Sequence, residues 1–326
     1  MMLMNESKHD LRRSLHRPFG VSVILPAYQS REHISNMLTS LSSQTLDSTL
    51  FEVILVVNGP DDGTCEIARA YETLPLRLLY SPVASASHAR NTGMSKASFQ
   101  FLTFVDADDT LSPTYLEDLL NHASLLGITI AHLTDVLPNG AIHESPIEQD
   151  IRSVEAGERP SFDVALSRLH RVLTMTTCKL IPTEAAQTVA FKHHLRSAED
   201  VVYFSTLFAH RSFQIRIAPT RAVYFRHRRQ HSLSRQQPTY LFAVTDRLTV
   251  IQELYSLLSS SRGALTTMLR KKISAQWNIL LRYAETNSYE KHHILRDMSR
   301  LSVPLSEQDA YHQLMYSVQS IDGEVE

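Results

Sequence analysis

Four short apolar runs recur along the first third of the chain, and three of them end in turn-forming or acidic residues. Val21-Ser22-Val23-Ile24-Leu25 closes on Pro26-Ala27-Tyr28, and Phe51-Glu52-Val53-Ile54-Leu55-Val56-Val57 breaks at Asn58-Gly59-Pro60. Residues 76–80 form a third run, and Phe99-Gln100-Phe101-Leu102-Thr103-Phe104-Val105 stops at Asp106-Ala107-Asp108-Asp109. Runs this short, rich in β-branched and aromatic residues, predict strands buried on both faces. Between them, residues 32–41 set Ile34, Met37, Leu38 and Leu41 at helical spacing, and residues 64–71 and 88–97 have helical character. Strands alternating with helices predict right-handed crossovers and an α/β fold: a mainly parallel sheet with helices on both faces. Ligands of such sheets bind outside the carboxyl ends of the strands. Here those ends carry Pro26, Ala27, Tyr28, Asn58, Asp106, Ala107 and Asp108.

The acidic turn carries the chemistry. Like charges about 4 Å apart repel by roughly 4 kcal/mol at an effective dielectric near 20, so an enclosed cluster needs a cationic partner. Oxygen-only ligands favour Mg²⁺ or Mn²⁺ over Zn²⁺, with substrate phosphates completing the shell. The alternative is a solvated loop in which Asp109 or Ser112 caps a helix over residues 112–122. Neither a Gly-x-Gly-x-x-Gly loop nor a Walker P-loop is present to cradle phosphates.

Charge narrows the partners further. Lys and Arg total 32 against 34 Asp and Glu, which argues against a nucleic-acid-binding surface. Two cysteines, Cys65 and Cys178, have neither zinc-site nor disulfide spacing, and point to a reducing, cytoplasmic setting. No run of 18 apolar residues occurs. Residues 1–18, with Lys8, Arg12, Arg13 and Arg17, read as a basic leader without regular structure, the alternative being a membrane-surface contact.

Further along, residues 128–133 predict another strand, residues 144–160 an irregular polar segment, residues 162–173 a helix, residues 174–181 a strand and residues 182–190 a helix. Ser197-Ala198-Glu199-Asp200 then opens a helix, and Ser197 with Asp200 would make a near capping box. Residues 215–217 and 222–225 are two short strands running into the densest basic stretch, Arg226-His227-Arg228-Arg229-Gln230-His231-Ser232-Leu233-Ser234-Arg235. From residue 236 the pattern is helical, over 240–259, 264–285, 289–300 and 307–318, which predicts an appended C-terminal helical subdomain. Trp277, beside Ile273, Leu280 and Leu281, reads as a core residue.

Together these segments resemble family 2 of the glycosyltransferases, the inverting enzymes of GT-A fold. The residues that carry the resemblance are Val21 through the P-x-Y turn at Pro26 and Tyr28, then Asp62-Gly63-Thr64, Ala89-Arg90-Asn91-Thr92-Gly93, the D-x-D of Asp106 and Asp108, Glu199-Asp200, and the closing Ser232-Leu233-Ser234-Arg235. It covers residues 21–235, so residues 19–235 would form the catalytic domain. One departure is Asn58-Gly59-Pro60 where the family commonly has V-D-D-G-S. The Asn58 amide offers a donor and an acceptor that could pair with a uracil edge.

The resemblance implies transfer of one hexosyl or N-acetylhexosaminyl unit from a nucleotide-diphosphate sugar, with UDP the first candidate. The acceptor would be a hydroxyl of a glycan, polymer or glycolipid in cell-surface polysaccharide synthesis. It implies Asp200 as general base with Glu199 next in line, and Mn²⁺ or Mg²⁺ on Asp108 with Asp106. His231, or else His227, would be a third ligand. Pro26, Ala27, Tyr28, Asn58, Arg90, Ala107, Arg228, Ser232 and Arg235 would meet the nucleotide-sugar. The Q-x-x-R-W motif of processive members is absent. A cytoplasmic enzyme is implied, with peripheral contact at the inner membrane face and self-association through the C-terminal helices left open. Two other classes fit the same carboxylates: a metal-dependent nucleotidyltransferase, and a catalytically silent nucleotide-sugar-binding scaffold.

Overall fold

The computed structural model describes residues 16–154, 159–229 and 238–301. Its main sheet begins as the apolar runs predict, with β1 (Val21–Ala27), β2 (Phe51–Asn58) and β3 (Leu76–Ser81) parallel to one another, and β4 (Phe101–Phe104) parallel to β1 on its other side. β6 (Gly127–Ile130), β9 (Lys179–Pro182) and β10 (Gln214–Ile217) extend it to seven strands in the order β10-β6-β9-β4-β1-β2-β3. β9 alone runs antiparallel to both neighbours, so its first residues emerge at the rim where β4 ends.

Helices cover the sheet because their apolar stripes match its faces. α1 (Ile34–Ser42) buries Ile34, Met37, Leu38 and Leu41, and α2 (Thr64–Arg69) follows β2. α3 (Ala86–Lys96) crosses β1 so closely that a Cβ on Gly93 would stand 2.6 Å from Ile24 Cγ2. α4 (Tyr115–Asn121) starts later than the expected 112–122 helix and has no side-chain cap. Ser112 instead donates to the Arg221 carbonyl.

Several expectations are corrected. The single strand over 128–133 is two, β6 and β7 (His132–Val136), split at Ala131, whose N–H bonds Cys178 O while that of His132 bonds Ala222 O. β7 leaves the main sheet for a second one, ordered β5-β11-β7-β8, with β5 (Thr110–Leu111), β8 (Ile142–His143) and β11 (Val223–His227). The polar segment 144–160 holds α5 (Pro146–Arg152). Its Glu148 is buried and satisfied by His132 Nδ1 and the Leu133 N–H, both at 2.8 Å, so a polar residue there faces inward. The helix over 162–173 is two short ones, α6 (Phe162–Arg168) and α7 (His170–Leu173). The strand over 174–181 shrinks to β9, and the helix over 182–190 to α8 (Thr183–Ala186). Arg17, counted with the leader from its charge, is tied to Glu184 at 2.7 Å and Gln187 at 3.0 Å.

α9 (Glu199–His210) leads into β10. The C-terminal helices then open with a π-helical turn, Leu241–Thr245, followed by α10 (Asp246–Leu258), α11 (Gly263–Thr286) and α12 (Lys291–Met298). α10 packs on α9, and α11 on α6. Ile251, Leu254, Ile273 and Trp277 join a core continuous with the sheet's. The predicted 307–318 helix lies outside the described residues. Among the described residues, no helix is long and apolar enough to cross a membrane.

Candidate active site

The chain leaves β4 through Val105, whose N–H bonds Ile24 O, and turns at once into the carboxylates. Asp109, which motif reading left aside, is the buried member at 4% exposure. It accepts from the Tyr224 hydroxyl at 2.7 Å and the His227 N–H at 2.8 Å, while Tyr224 Oη accepts from the Asp106 N–H at 3.0 Å. Burial, then the charge of Asp106, pushes the Asp109 carboxyl up to about 7. This network locks the turn to β11 and leaves the Asp106 and Asp108 side chains half exposed.

Arg90 on α3 joins the turn to α9. Its Nη1 lies 2.7 Å from Glu199 Oε1 and its Nη2 3.4 Å from Asp106 Oδ1, and the guanidinium stands 5.5 Å from the centre of the Phe191 ring. Burial opposes its charge, but Asp106 and Glu199 outweigh burial and hold its pKa above the ordinary value. The capping box expected from Ser197 does not form. The N-cap is Ala198, a non-glycine residue at φ +57° with no side-chain cap, and Asp200 Oδ1 accepts from the N–H of Val201 at 2.7 Å. Left-handed backbone in such a residue stores strain of the kind found at functional sites. Asp200 is raised to about 6 by burial first and Glu199 second, with Arg90 opposing.

Arg90, Asp106, Glu199 and Asp200 share a cleft of about 620 Å³. One wall is the turn Met175-Thr176-Thr177, and another is the C-terminal segment at Pro238, Leu241 and Phe242. Arg247 fixes that second wall, donating to Phe242 O at 3.2 Å and to Gln276 at 2.7 Å and standing over the Phe242 ring at 4.7 Å. Neither wall was named from sequence, because no motif marks an apolar turn or a π-helical start.

The other predicted residues that the structure describes lie along the same rim, outside this cleft. Tyr28 is exposed, and its ring packs on Gly59 (φ +83°), where a Cβ would come within 2.8 Å. Pro26 and Ala27 are the last residues of β1. Asn58 is 2% exposed. Oriented by its partners, its amide donates to Ala27 O at 3.0 Å and accepts from Ser85 N at 3.2 Å. It ties β1 to the start of α3, so the amide expected to meet a base edge already has one donor and one acceptor contact within the fold. Asp108 meets Arg229 at 3.2 Å. Arg228 pairs with Asp135 at 2.7 Å, as does Arg226 at 2.7 Å. His227 Nε2 is engaged by Thr110 Oγ1 at 2.9 Å. His231, Ser232 and Arg235 lie outside the described residues.

Residues 22–143 match the Glycosyl transferase family 2. Over that segment, a little over a third of the chain, the protein is similar to that family. Glycosyltransferase AglE of Haloferax volcanii is 37% identical over 128 residues, 38% of this chain and 42% of that protein. The fold matches the crystal structure of Staphylococcus aureus TarS 1–349 in complex with UDP-GlcNAc, at TM-score 0.61 and 20% identity over 91% of this chain and 79% of that one. It also matches mannosyltransferase PcManGT of Pyrobaculum calidifontis in complex with GDP-Man and Mn²⁺, at TM-score 0.52 and 15% identity over 96% and 92%. The architecture of this chain is thus GT-A, with a helical C-terminal part. Its matches span less than half the length of each curated relative.

Proposed function

We propose that this chain transfers a single sugar from a nucleotide-diphosphate sugar to a hydroxyl of a glycan, polymer or glycolipid acceptor, inverting the anomeric carbon. The observation that carries this reading is the Arg90 bridge, which gathers Asp106 of the acidic turn and Glu199 beside Asp200 into one cleft. Glu199 is engaged by Arg90, so Asp200 is the general base that takes the acceptor's proton as its oxygen attacks C1. A raised but still sub-neutral pKa suits that task, since the group is ionised at pH 7 yet basic enough to accept a proton.

Asp108 and Asp106 fit a divalent cation. They are half-exposed oxygen donors, and Mg²⁺ and its like are held by one or two carboxylates with phosphates filling the shell. Mn²⁺ or Mg²⁺ there would neutralise the diphosphate leaving group. Arg229 now stands as the counter-charge of Asp108 and would be released toward the phosphates when that position is taken. Tyr28, seated on Gly59, offers an exposed ring on which a base can stack. The complexes of the two fold relatives, one with UDP-GlcNAc and one with GDP-Man and Mn²⁺, support a nucleotide-sugar donor and set the choice to be tested.

The test is a thermal-shift panel of UDP, CDP, GDP and TDP, each with and without Mn²⁺, on the native chain and on Asp108→Ala. A ligand at a hundred times its Kd adds about 2.7 kcal/mol, roughly 4 °C in a chain of this length. A Mn²⁺-dependent shift with one nucleotide, lost in Asp108→Ala, is expected. No shift with any of the four sinks the transferase reading.

A further inference from the structure

Lys179, the first residue of β9, is fully buried. Its ammonium is bound by main-chain carbonyls, donating to Met175 O and to Thr177 O at 3.3 Å, and stands 4.2 Å from the centre of the Phe204 ring. A lysine is almost never fully buried without a paired charge, so its place here asks for a reason. Two features of the site supply one.

The first is the cleft wall. Met175, Thr176 and Thr177 line the cleft, and the turn that carries them doubles back through Cys178, which holds φ +65°. Its inward-facing carbonyls would be orphaned without the ammonium at its centre. The second is the catalytic helix. Phe204 lies one turn along α9 from Asp200, so the two residues share a helix face, and the cation over the Phe204 ring lies against the face that carries Asp200. Burial lowers the Lys179 pKa to about 7, Asp200 opposes that lowering, and the lysine charge in turn opposes the raised pKa of Asp200. The other charges acting on Asp200 are Glu199 on its own helix and Arg90 from α3, while Lys272 of α11 and Arg247 of α10 feel its charge.

We infer that Lys179 is a positioning residue for the transfer: it shapes the 175–178 turn into the cleft wall and supplies a buried positive charge that keeps Asp200 ionised. This rests on Asp200 being the base. The lysine is cationic near pH 6, where Asp200 titrates, and largely neutral at pH 8, so its removal acts on the acid side of the rate profile.

Lys179→Gln keeps a donor for the carbonyls and removes the charge; Lys179→Met removes both. Both variants are expected to give the native nucleotide and Mn²⁺ thermal shift. In Lys179→Gln, release of nucleotide from the sugar donor the native chain uses should show an acid limb moved up by about half to one pH unit. The rate should fall about two- to fivefold at pH 6, stay near native at pH 8, and leave the donor KM unchanged. A purely structural lysine would lower the rate evenly at all pH values. An acid limb at its native position in Lys179→Gln overturns the inference. A carboxyl ¹³C titration of Asp200, assigned with Asp200→Asn, decides it independently of turnover: an unmoved midpoint overturns the inference even where transfer occurs, and a raised one supports it even where no donor is turned over, which is the separate failure of the transferase reading.

Discussion

Glu199 and Asp200 are adjacent in sequence and unlike in surroundings. Glu199 spends its charge on Arg90 at 2.7 Å, whereas the hydrogen bond Asp200 accepts comes from the backbone of the next residue. Asp200→Asn should therefore leave nucleotide binding intact and cut transfer by about 10²- to 10⁴-fold, the usual worth of a general base. Glu199→Gln should act instead by loosening Arg90 and raising the donor KM. Near-normal turnover in Asp200→Asn would move the base to Glu199. With a pKa near 6, Asp200 makes native transfer fall about tenfold per pH unit below that value. Stability runs the other way. The folded-state pKa is raised, so this group's contribution is present at low pH and is lost as pH climbs from the ordinary aspartate value through about 6. Activity rising while this local contribution falls over the same interval is the mark of a base kept by function.

Among the elements, the exit of β11 beside β7 depends on one buried carboxylate. Asp135 accepts from Arg226 at 2.7 and 3.1 Å and from Arg228 at 2.7 Å. Burial pushes its carboxyl up, and the hydrogen bonds from Arg226 and Arg228 more than reverse that, holding it below its ordinary pKa. Asp135→Asn would leave two arginines without their charge partner. The cost should be about 2 kcal/mol, near the low end for a broken buried pair because the arginines can rehydrate, and read as a Tm drop of several degrees. An unchanged Tm would show the clamp to be dispensable. Sequence made the strands legible wherever both faces are covered, as in β1, β2 and β4, because such runs are apolar without interruption. It hid the split at Ala131, since β6 and β7 read as one apolar run and the break arises from hydrogen bonds to Cys178 and Ala222, far along the chain. Of the site, the motifs at Asp106, Asp108, Arg90 and Glu199-Asp200 were readable, while Asp109, Lys179 and Phe242 take their roles from burial and long-range contacts. The same holds for the contacts of Asn58, whose amide meets strand and helix termini that only the fold brings together.

In the molecule as a whole, the C-terminal helices read from sequence as an appendage, but they share the core and complete the cleft. Leu254, Met268, Ile273 and Trp277 are buried in the cluster that continues into the sheet domain, and Phe242 closes the cleft that holds Asp200. A chain ending at Arg229 would strip the cover from α9 and α6 and leave apolar faces in water. It is therefore expected to aggregate, or to unfold without a cooperative transition, when expressed and heated beside the full chain. A soluble, cooperatively melting product that keeps the nucleotide shift would instead make the helices a separable module, with donor binding confined to the sheet domain. The expected outcome follows from where the burial lies. The strand ends that bear Asp106 and Asp108 belong to the sheet, but Asp200, the proposed base, stands at the N-terminus of α9, which is held on one side by Lys179 and Phe191 and packed by α10 on another. On the proposed roles, donor and acceptor chemistry draw on different parts of one core, and truncation removes the α10 half of the packing that holds α9.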